Sequence, residues 1–70
     1  MPAEKYDKRF GMIAAEKGFI TYEQLLEAMK IQIFENLVGN KHRLIGEVLL
    51  EKEYITTSQV DEVHNFLGVS

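Results

Sequence analysis

The chain has 70 residues, no cysteine and a formal net charge of −3, from 8 basic and 11 acidic side chains. A chain of this size forms one small domain with a modest core, which leaves little room for a deep catalytic cleft. The missing cysteines exclude disulfides, thiolate metal sites and cysteine nucleophiles, and the acidic balance disfavours nucleic acid as a partner. No apolar run approaches the length of about 18 residues that spans a membrane, and no signal peptide is visible, so we expect a cytoplasmic protein.

The first predicted helix runs from about Lys5 to Lys17. Its apolar positions follow the spacing of one helical face, at Tyr6, Phe10, Ile13 and Ala14. Lys17 and Gly18 are suitable residues for the helix end, because glycine adopts the left-handed conformation that commonly terminates a helix.

A second helix is predicted from Tyr22 to about Leu37. Thr21 and Gln24 have the spacing of a capping box, in which each side chain accepts a hydrogen bond from the other residue's backbone N–H. Ile20 stands at the position of a hydrophobic staple against Leu25. The stretch GFITYEQ is therefore interpreted as a helix start.

The apolar arc of this second helix is unusually wide. One side carries Leu25, Leu26, Met29, Ile33 and Leu37, and further apolar residues extend the arc around the helix. An arc this wide needs more than one neighbour to bury it. We therefore predict a partner-binding patch at Ile31, Phe34 and Val38, with burial by the fourth helix as the alternative.

The second half repeats the first after a loop at residues 38–43. With an offset of about 35 residues, Gly11 matches Gly46, Thr21 matches Thr56 and Gln24 matches Gln59. The third helix repeats the first apolar face with Leu44, Ile45, Val48 and Leu49, and a shorter fourth helix carries Val60, Val63 and Leu67. The sequence thus predicts one all-α domain over residues 1–70, a compact bundle of two helical hairpins at about 5–38 and 43–68. The alternative is a strand in the β-rich run EVLLEKEYITT.

Residue types for catalysis are scarce. The histidines, His42 and His64, have no partner at metal-ligand spacing, and the serines are only Ser58 and Ser70. We expect a protein that is not an enzyme and needs no metal or cofactor. The basic groups at 8–9 and 41–43 could attract a phosphate, but two short clusters in an acidic protein favour solvated surface instead.

The arrangement of two helices around a tight turn also suggests a DNA-binding helix-turn-helix. In that fold the start of the second helix presents Arg, Lys, Asn or Gln to the bases. Here that position carries Tyr22, Glu23, Leu26 and Glu27, which offer acid and hydrocarbon instead. This composition argues against docking in the major groove.

The stretch from Arg9 to Gln32 resembles a motif in the N-terminal domains of type II secretion and type IV pilus assembly ATPases. The residues that carry the resemblance are Arg9, Phe10, Gly11, Ala14, Ala15, Gly18, Ile20, Leu25, Met29 and Gln32. In the MshEN type of these domains, paired motifs bind cyclic di-GMP. In the second half, Leu44, Glu53 and Leu67 stand at the positions of Arg9, Gly18 and Gln32.

The resemblance implies a ligand site as well as a fold. It implies that Arg9 contacts guanine or phosphate, that Gly11 permits close approach, and that apolar positions cradle the base. Arginine has a planar fork of donors suited to guanine and phosphate oxygens, and glycine leaves space for a ring. The implied set is Arg9, Phe10, Gly11, Ala14, Gln32, Ile45 and Gly46.

Three functions remain open on the sequence alone. The first is a non-enzymatic interaction module, similar to a secretion-ATPase N-terminal domain, that binds a partner protein. The second is a cyclic di-GMP sensor, and the third is a DNA-binding regulator. Association of the chain with itself is compatible with the first.

Overall fold

A computed structural model describes residues 2–39 and 42–68, with only the backbone described for residues 2–6. It contains four helices, α1 Pro2–Glu16, α2 Tyr22–Val38, α3 Ile45–Glu51 and α4 Thr57–Leu67. The predicted all-α fold is confirmed, and the described ranges contain no strand, so the strand alternative for residues 47–57 was wrong. Helix α1 begins three residues before the predicted start at Lys5, with proline at its first position, where the missing N–H costs no helical hydrogen bond.

Both predicted capping boxes are present. The Thr21 hydroxyl accepts a hydrogen bond from the Gln24 N–H at 3.0 Å, and the Gln24 side chain accepts one from the Thr21 N–H at 2.9 Å. Thr56 and Gln59 make the same pair of hydrogen bonds at 3.1 and 3.0 Å. Helices α2 and α4 therefore start in the same way, with two N-terminal amide groups satisfied by local side chains.

Helices α1 and α3 also end in the same way. After α1, the N–H of Gly18 donates to the carbonyl of Ala15, and the next N–H donates to Ala14, both at 3.0 Å. The second half repeats both hydrogen bonds at 3.0 Å, with Glu53 in the place of Gly18. The φ angles are 79° at Gly18 and 62° at Glu53, so both residues are left-handed. This is the Schellman arrangement, which normally uses glycine at that position.

The start of α3 is stabilised by residues that are distant in the sequence. Its first residue, Ile45, donates its N–H to the Asp7 carboxylate of α1 at 2.6 Å, and Gln32 of α2 donates to the same carboxylate at 2.6 Å. The N-cap residue, Leu44, has no side-chain acceptor, and its N–H donates to Glu47 at 2.7 Å. Asp7 thus joins three helices at one point.

The core is formed by all four helices and the two turns. Its buried residues are Phe10, Ile13, Ala14, Ala15, Ile20, Leu25, Ala28, Ile45, Val48, Leu49, Ile55 and Val63. Helix α2 packs most extensively on α3, and α1 packs on α3 and α4. Each helix therefore packs mainly on helices of the other half, and the predicted hairpins are not themselves the packing units.

Two glycines lie where α1 crosses α3. A Cβ atom on Gly11 would lie 2.5 Å from Leu25 Cδ1 and 3.5 Å from Ile45 Cγ2. A Cβ atom on Gly46 would lie 3.2 Å from the ring of Phe10. Since residues 10 and 11 match residues 45 and 46 in the repeat, each half contributes a glycine that faces the other half's apolar residue.

Two ion pairs also connect the halves reciprocally. Lys17, after α1, lies 3.5 Å from Glu62 of α4, and Lys52, after α3, lies 3.5 Å from Glu27 of α2. With the offset of 35, each lysine matches the other lysine and each glutamate the other glutamate. The two halves therefore contact each other reciprocally, as an approximate twofold arrangement requires. None of the four described helices has the length and apolar composition to cross a membrane.

Candidate functional site

The side of α2 that faces away from the core carries several exposed apolar residues. Its large hydrophobic residues are Leu26, Ile33, Phe34, Leu37 and Val38, with 59, 60, 65, 81 and 69% of their surface accessible. We call these five residues the α2 outer face. Single exposed apolar residues are common on proteins, but a contiguous group on one helix indicates an interaction site.

The inner side of α2 supplies the core contacts. Leu25 and Ala28 are buried, and Met29 and Ile31 are half-buried against the core. Of the predicted patch, Phe34 and Val38 are therefore exposed, whereas Ile31 lies at the edge of the core. Helix α4 packs on α1, which leaves Phe34 and Val38 accessible to solvent.

Helix α2 is longer than its counterpart in the repeat. Helix α4 has 11 residues and ends at Leu67, the position that matches Gln32, whereas α2 has 17 residues and continues to Val38. We call residues 33–38 the α2 extension. Four of the five residues of the outer face lie in it. The fifth, Leu26, matches the exposed Asp61 of α4.

Charged side chains are unevenly placed along α2. A shallow groove at its N-terminal half is lined by Glu23, Leu26, Glu27, Met29, Lys30 and Ile33. Beyond Lys30, the only charged residue of the helix is Glu35, which faces inward and binds Arg43. The outer surface of the extension is therefore apolar apart from the neutral Asn36.

Arg43 fixes the extension to the domain. Its guanidinium donates to both carboxylate oxygens of Glu35, at 3.1 and 2.7 Å, and to Glu51 of α3 at 2.7 Å. These hydrogen bonds raise the pKa of Arg43 above its ordinary value. A two-pronged arginine–carboxylate contact is geometrically specific, so Arg43 holds the end of α2 against α3. Of the predicted basic groups, Arg43 is thus engaged with acids, and Lys41 lies outside the described residues.

The residues implied by the family resemblance are distributed between core and surface. Phe10, Gly11, Ala14 and Ile45 are buried, and Gly46 is half-buried beside Phe10. The α1–α3 crossing brings Phe10, Gly11, Ile45 and Gly46 together, where they pack against one another and Leu25.

The two polar residues of that implied set lie elsewhere. Arg9 is exposed on α1. Gln32 is half-buried and donates to Asp7 at 2.6 Å and to the Arg43 carbonyl at 2.9 Å. Both donor contacts of Gln32 are therefore internal, and the binding of cyclic di-GMP stays a prediction from the resemblance.

Asp7 and the α2 extension were not identified by sequence reasoning as special features. Nothing near Asp7 in the sequence marks it as a helix cap, because its backbone partner is 38 residues away. The α2 extension, in contrast, is visible in the sequence. Aligning the two halves shows that the apolar pattern of α2 continues past the position where α4 meets Gly68.

Three further ionisable side chains, Tyr54, Asp7 and His64, contact residues of other helices. The Tyr54 hydroxyl donates to Glu27 at 3.0 Å, which raises the pKa of Tyr54. Burial raises the pKa of Asp7 above its ordinary value, although its hydrogen bonds from Gln32 and Ile45 act in the opposite direction. The ring of His64 lies 5.2 Å from that of Phe10. Over residues 2–39 and 42–68, the acids and histidines form no group of three that could hold a metal ion.

Comparison of the chain with protein-family models, with curated proteins and with solved structures gives no match.

Proposed function

We propose that this chain is a non-enzymatic, cytoplasmic helical module that binds a partner protein through the α2 outer face. The observation that carries the proposal is the accessibility of Leu26, Ile33, Phe34, Leu37 and Val38, each at least 59% exposed on one side of one helix. Exposed apolar residues in such a group are stabilised when a partner removes them from water.

The repeat supplies an internal reason to connect this face with binding. Helix α4 occupies the matching place in the other half and packs on the core through Val63, with Phe66 as its single exposed large hydrophobic residue. Its Asp61 stands where α2 has Leu26. The fold itself therefore does not require the apolar residue at that position, nor the six residues by which α2 is longer.

The size of the face suits a protein partner. At roughly 150 to 250 Å² for a large side chain, the exposed fractions of the five residues amount to on the order of 600 Å². The largest apolar patch of a typical monomer has about 300 to 600 Å², and a standard interface buries about 800 Å² on each partner. The face is thus near the upper end for a monomer and covers most of one side of an interface.

Site-specific photo-cross-linking tests the proposal. A photoreactive amino acid replaces Phe34 in one variant and Phe66 in the other, and both are expressed in the cells that produce the protein. Phe34 and Phe66 are 65 and 66% exposed, so they form a matched pair on α2 and α4. We expect a discrete protein adduct from position 34 and none of comparable yield from position 66.

Mass spectrometry of the adduct then identifies the bound protein. Absence of a discrete adduct at position 34, in a variant with unchanged helical circular dichroism, would contradict the proposal. Equal adduct yields at both positions would also contradict it, because they would indicate general contact of exposed aromatic residues.

A further inference from the structure

We infer that the partner on the α2 outer face is a second copy of this chain, bound by antiparallel pairing of the two α2 extensions. This inference rests on the proposed function, and names the partner for the same face. Its basis is the position, area and charge of the extension.

The extension can pair with itself. In a twofold dimer, a residue i that contacts residue j of the partner requires that j contacts i. Antiparallel pairing centred between residues 35 and 36 places Phe34 opposite the partner's Leu37 and Ile33 opposite the partner's Val38. Each apolar side chain then meets another apolar side chain, and the pairing uses all four exposed residues of the extension.

The charge distribution also favours this pairing. Each copy has a net charge of −3, so two copies repel unless their acidic residues stay apart. In the antiparallel arrangement, the two Glu35 carboxylates nearest the centre are each paired with Arg43, and the Glu27 side chains of the two copies are separated by roughly 25 Å along the helices, at about 1.5 Å per residue. This separation exceeds the screening length of about 8 Å at physiological salt.

The same charge distribution argues against other occupants. An acidic or basic partner would be selected by a rim of opposite charge, but beyond Lys30 the helix has only Glu35, which is paired with Arg43. An anionic lipid surface would need a cationic border around the apolar residues. A surface with the same neutral apolar character fits best, and the extension itself is such a surface.

The area is sufficient for a dimer of modest affinity. The four exposed residues of the extension present on the order of 500 Å² per copy, against about 800 Å² per partner in a standard interface. A second copy would also bury apolar surface that a domain this small cannot cover by its own folding. We therefore expect association at micromolar concentrations.

Sedimentation equilibrium measures the dissociation constant of the dimer directly. We expect the unmodified chain to be a dimer at about 100 μM, and Phe34→Ser to weaken dimerisation at least about tenfold, because a twofold interface loses both copies of the side chain. Phe66→Ser, the matched control on α4, should leave the dimer unchanged. A chain that remains monomeric at this concentration, or a Phe66→Ser variant as impaired as Phe34→Ser, would overturn the inference.

Disulfide formation tests the antiparallel arrangement, since the natural chain has no cysteine. Oxidation of Leu37→Cys should give a covalent dimer, because position 37 lies close to the twofold axis. Leu26→Cys, on the same outer face, should stay monomeric, because its copies are separated by roughly 28 Å at about 1.5 Å per residue. Efficient cross-linking of Leu26→Cys would contradict antiparallel pairing.

The failure of this inference and that of the proposed function are distinguishable. A monomer in sedimentation that still gives a discrete adduct with another protein at position 34 overturns the dimer and leaves the binding face intact. A monomer with no adduct at position 34 overturns both. A dimer whose adduct at position 34 is a second copy of the chain supports both.

Discussion

The two halves of the molecule share their turns but differ in their second helices. In residues 2–38 and 45–67, the first helix of each half ends with the same two hydrogen bonds, and the second begins with the same capping box. Yet α2 has 17 residues with five exposed large hydrophobic residues on its outer face, and α4 has 11 residues with one, Phe66. The shared features are those that the fold needs. The differences are the residues on which the proposed binding face depends.

A finer difference lies in the shared turn itself. Gly18 and Glu53 have nearly the same left-handed conformation and the same backbone hydrogen bonds, although glutamate has a side chain that disfavours it. The surrounding caps and core contacts therefore determine the conformation of the turn. The residue at position 18 or 53 affects the stability of the turn more than its conformation. The free energies of unfolding of matched variants in the two halves can measure these two contributions.

The largest expected difference between matched positions concerns the two glycines at the helix crossing. Gly11→Ala would place Cβ 2.5 Å from a methyl group of the buried Leu25, whereas Gly46→Ala would place it 3.2 Å from the Phe10 ring. Overpacking costs about 1 to 3 kcal/mol, and alanine returns up to about 1 kcal/mol of helix propensity. We expect Gly11→Ala to lower the free energy of unfolding by about 1 to 2 kcal/mol, and Gly46→Ala to change it by less than about 0.5 kcal/mol.

Urea unfolding followed by circular dichroism measures both variants. Equal destabilisation would mean that Leu25 moves aside as easily as the Phe10 ring, and would contradict the asymmetry between the halves.

The two capping boxes should have equal effects. Thr21→Ala and Thr56→Ala each remove one hydroxyl acceptor from a helix start, and the four hydrogen bonds of the two boxes are 2.9 to 3.1 Å long. We expect each change to cost about 1 kcal/mol. Thermal or urea unfolding of the two single variants and the double variant checks this, and Thr57→Ala, at an exposed position beside the cap, is the control. A cost for Thr56→Ala below a third of that for Thr21→Ala would indicate that α4 frays in solution.

The left-handed position should respond in opposite directions in the two halves. Glu53→Gly removes the steric cost of a side chain at a φ of 62° and should stabilise the protein by roughly 0.5 to 1 kcal/mol. Gly18→Ala introduces the same cost and should destabilise it by about 1 kcal/mol. Because no heavy atom lies within 4 Å of a Cβ on Gly18, the effect there would come from the backbone alone. A destabilised Glu53→Gly would show that the glutamate side chain contributes contacts that outweigh its conformational cost.

Local patterns predicted the helices and their starts well. Thr21 with Gln24 and Thr56 with Gln59 are three residues apart, so a capping box can be read directly from the sequence. The apolar spacing predicted the inner side of α2 only in part. Leu25 is buried and Met29 is half-buried, but Leu26, Ile33 and Leu37 of the same predicted side are at least 59% exposed. Helix starts of this kind are formed by residues close together in the chain, so the sequence alone is enough to predict them.

Contacts between distant residues were harder to predict. Each half was expected to pack as a hairpin, but α1 packs on α3 and α4, because the reciprocal arrangement buries the faces around Gly11 and Gly46. The sequence shows which residues of α2 are apolar, but only the positions of the other helices decide that Phe34 is exposed and Ile31 half-buried. The capping role of Asp7 could not be predicted for the same reason, because its partner Ile45 is 38 residues away in the sequence.

Asp7 caps the start of α3, whereas the caps of α2 and α4 are uncharged threonines. Titration of Asp7 should therefore affect the start of α3 and leave the other two helix starts unchanged. Burial is the largest influence and raises its pKa, and the nearby Glu47 acts in the same direction. A group whose pKa is raised by folding contributes stability at pH values below its ordinary pKa, and this contribution is lost as the pH rises through the raised pKa. We therefore expect a carboxyl titration midpoint for Asp7 above about 3.9 by NMR.

Asp7→Asn provides the comparison for stability, because its side-chain oxygen can still accept the Ile45 N–H but does not titrate. As the pH rises from about 3 to 7, the natural chain should lose stability relative to this variant, since the folded state binds more protons at Asp7 than the unfolded state does. Thermal unfolding across that range measures the difference. A natural chain that gains stability relative to Asp7→Asn would mean that the two 2.6 Å hydrogen bonds to the carboxylate outweigh its burial. In that case the start of α3 would depend on the charge of Asp7, as well as on its position as an acceptor.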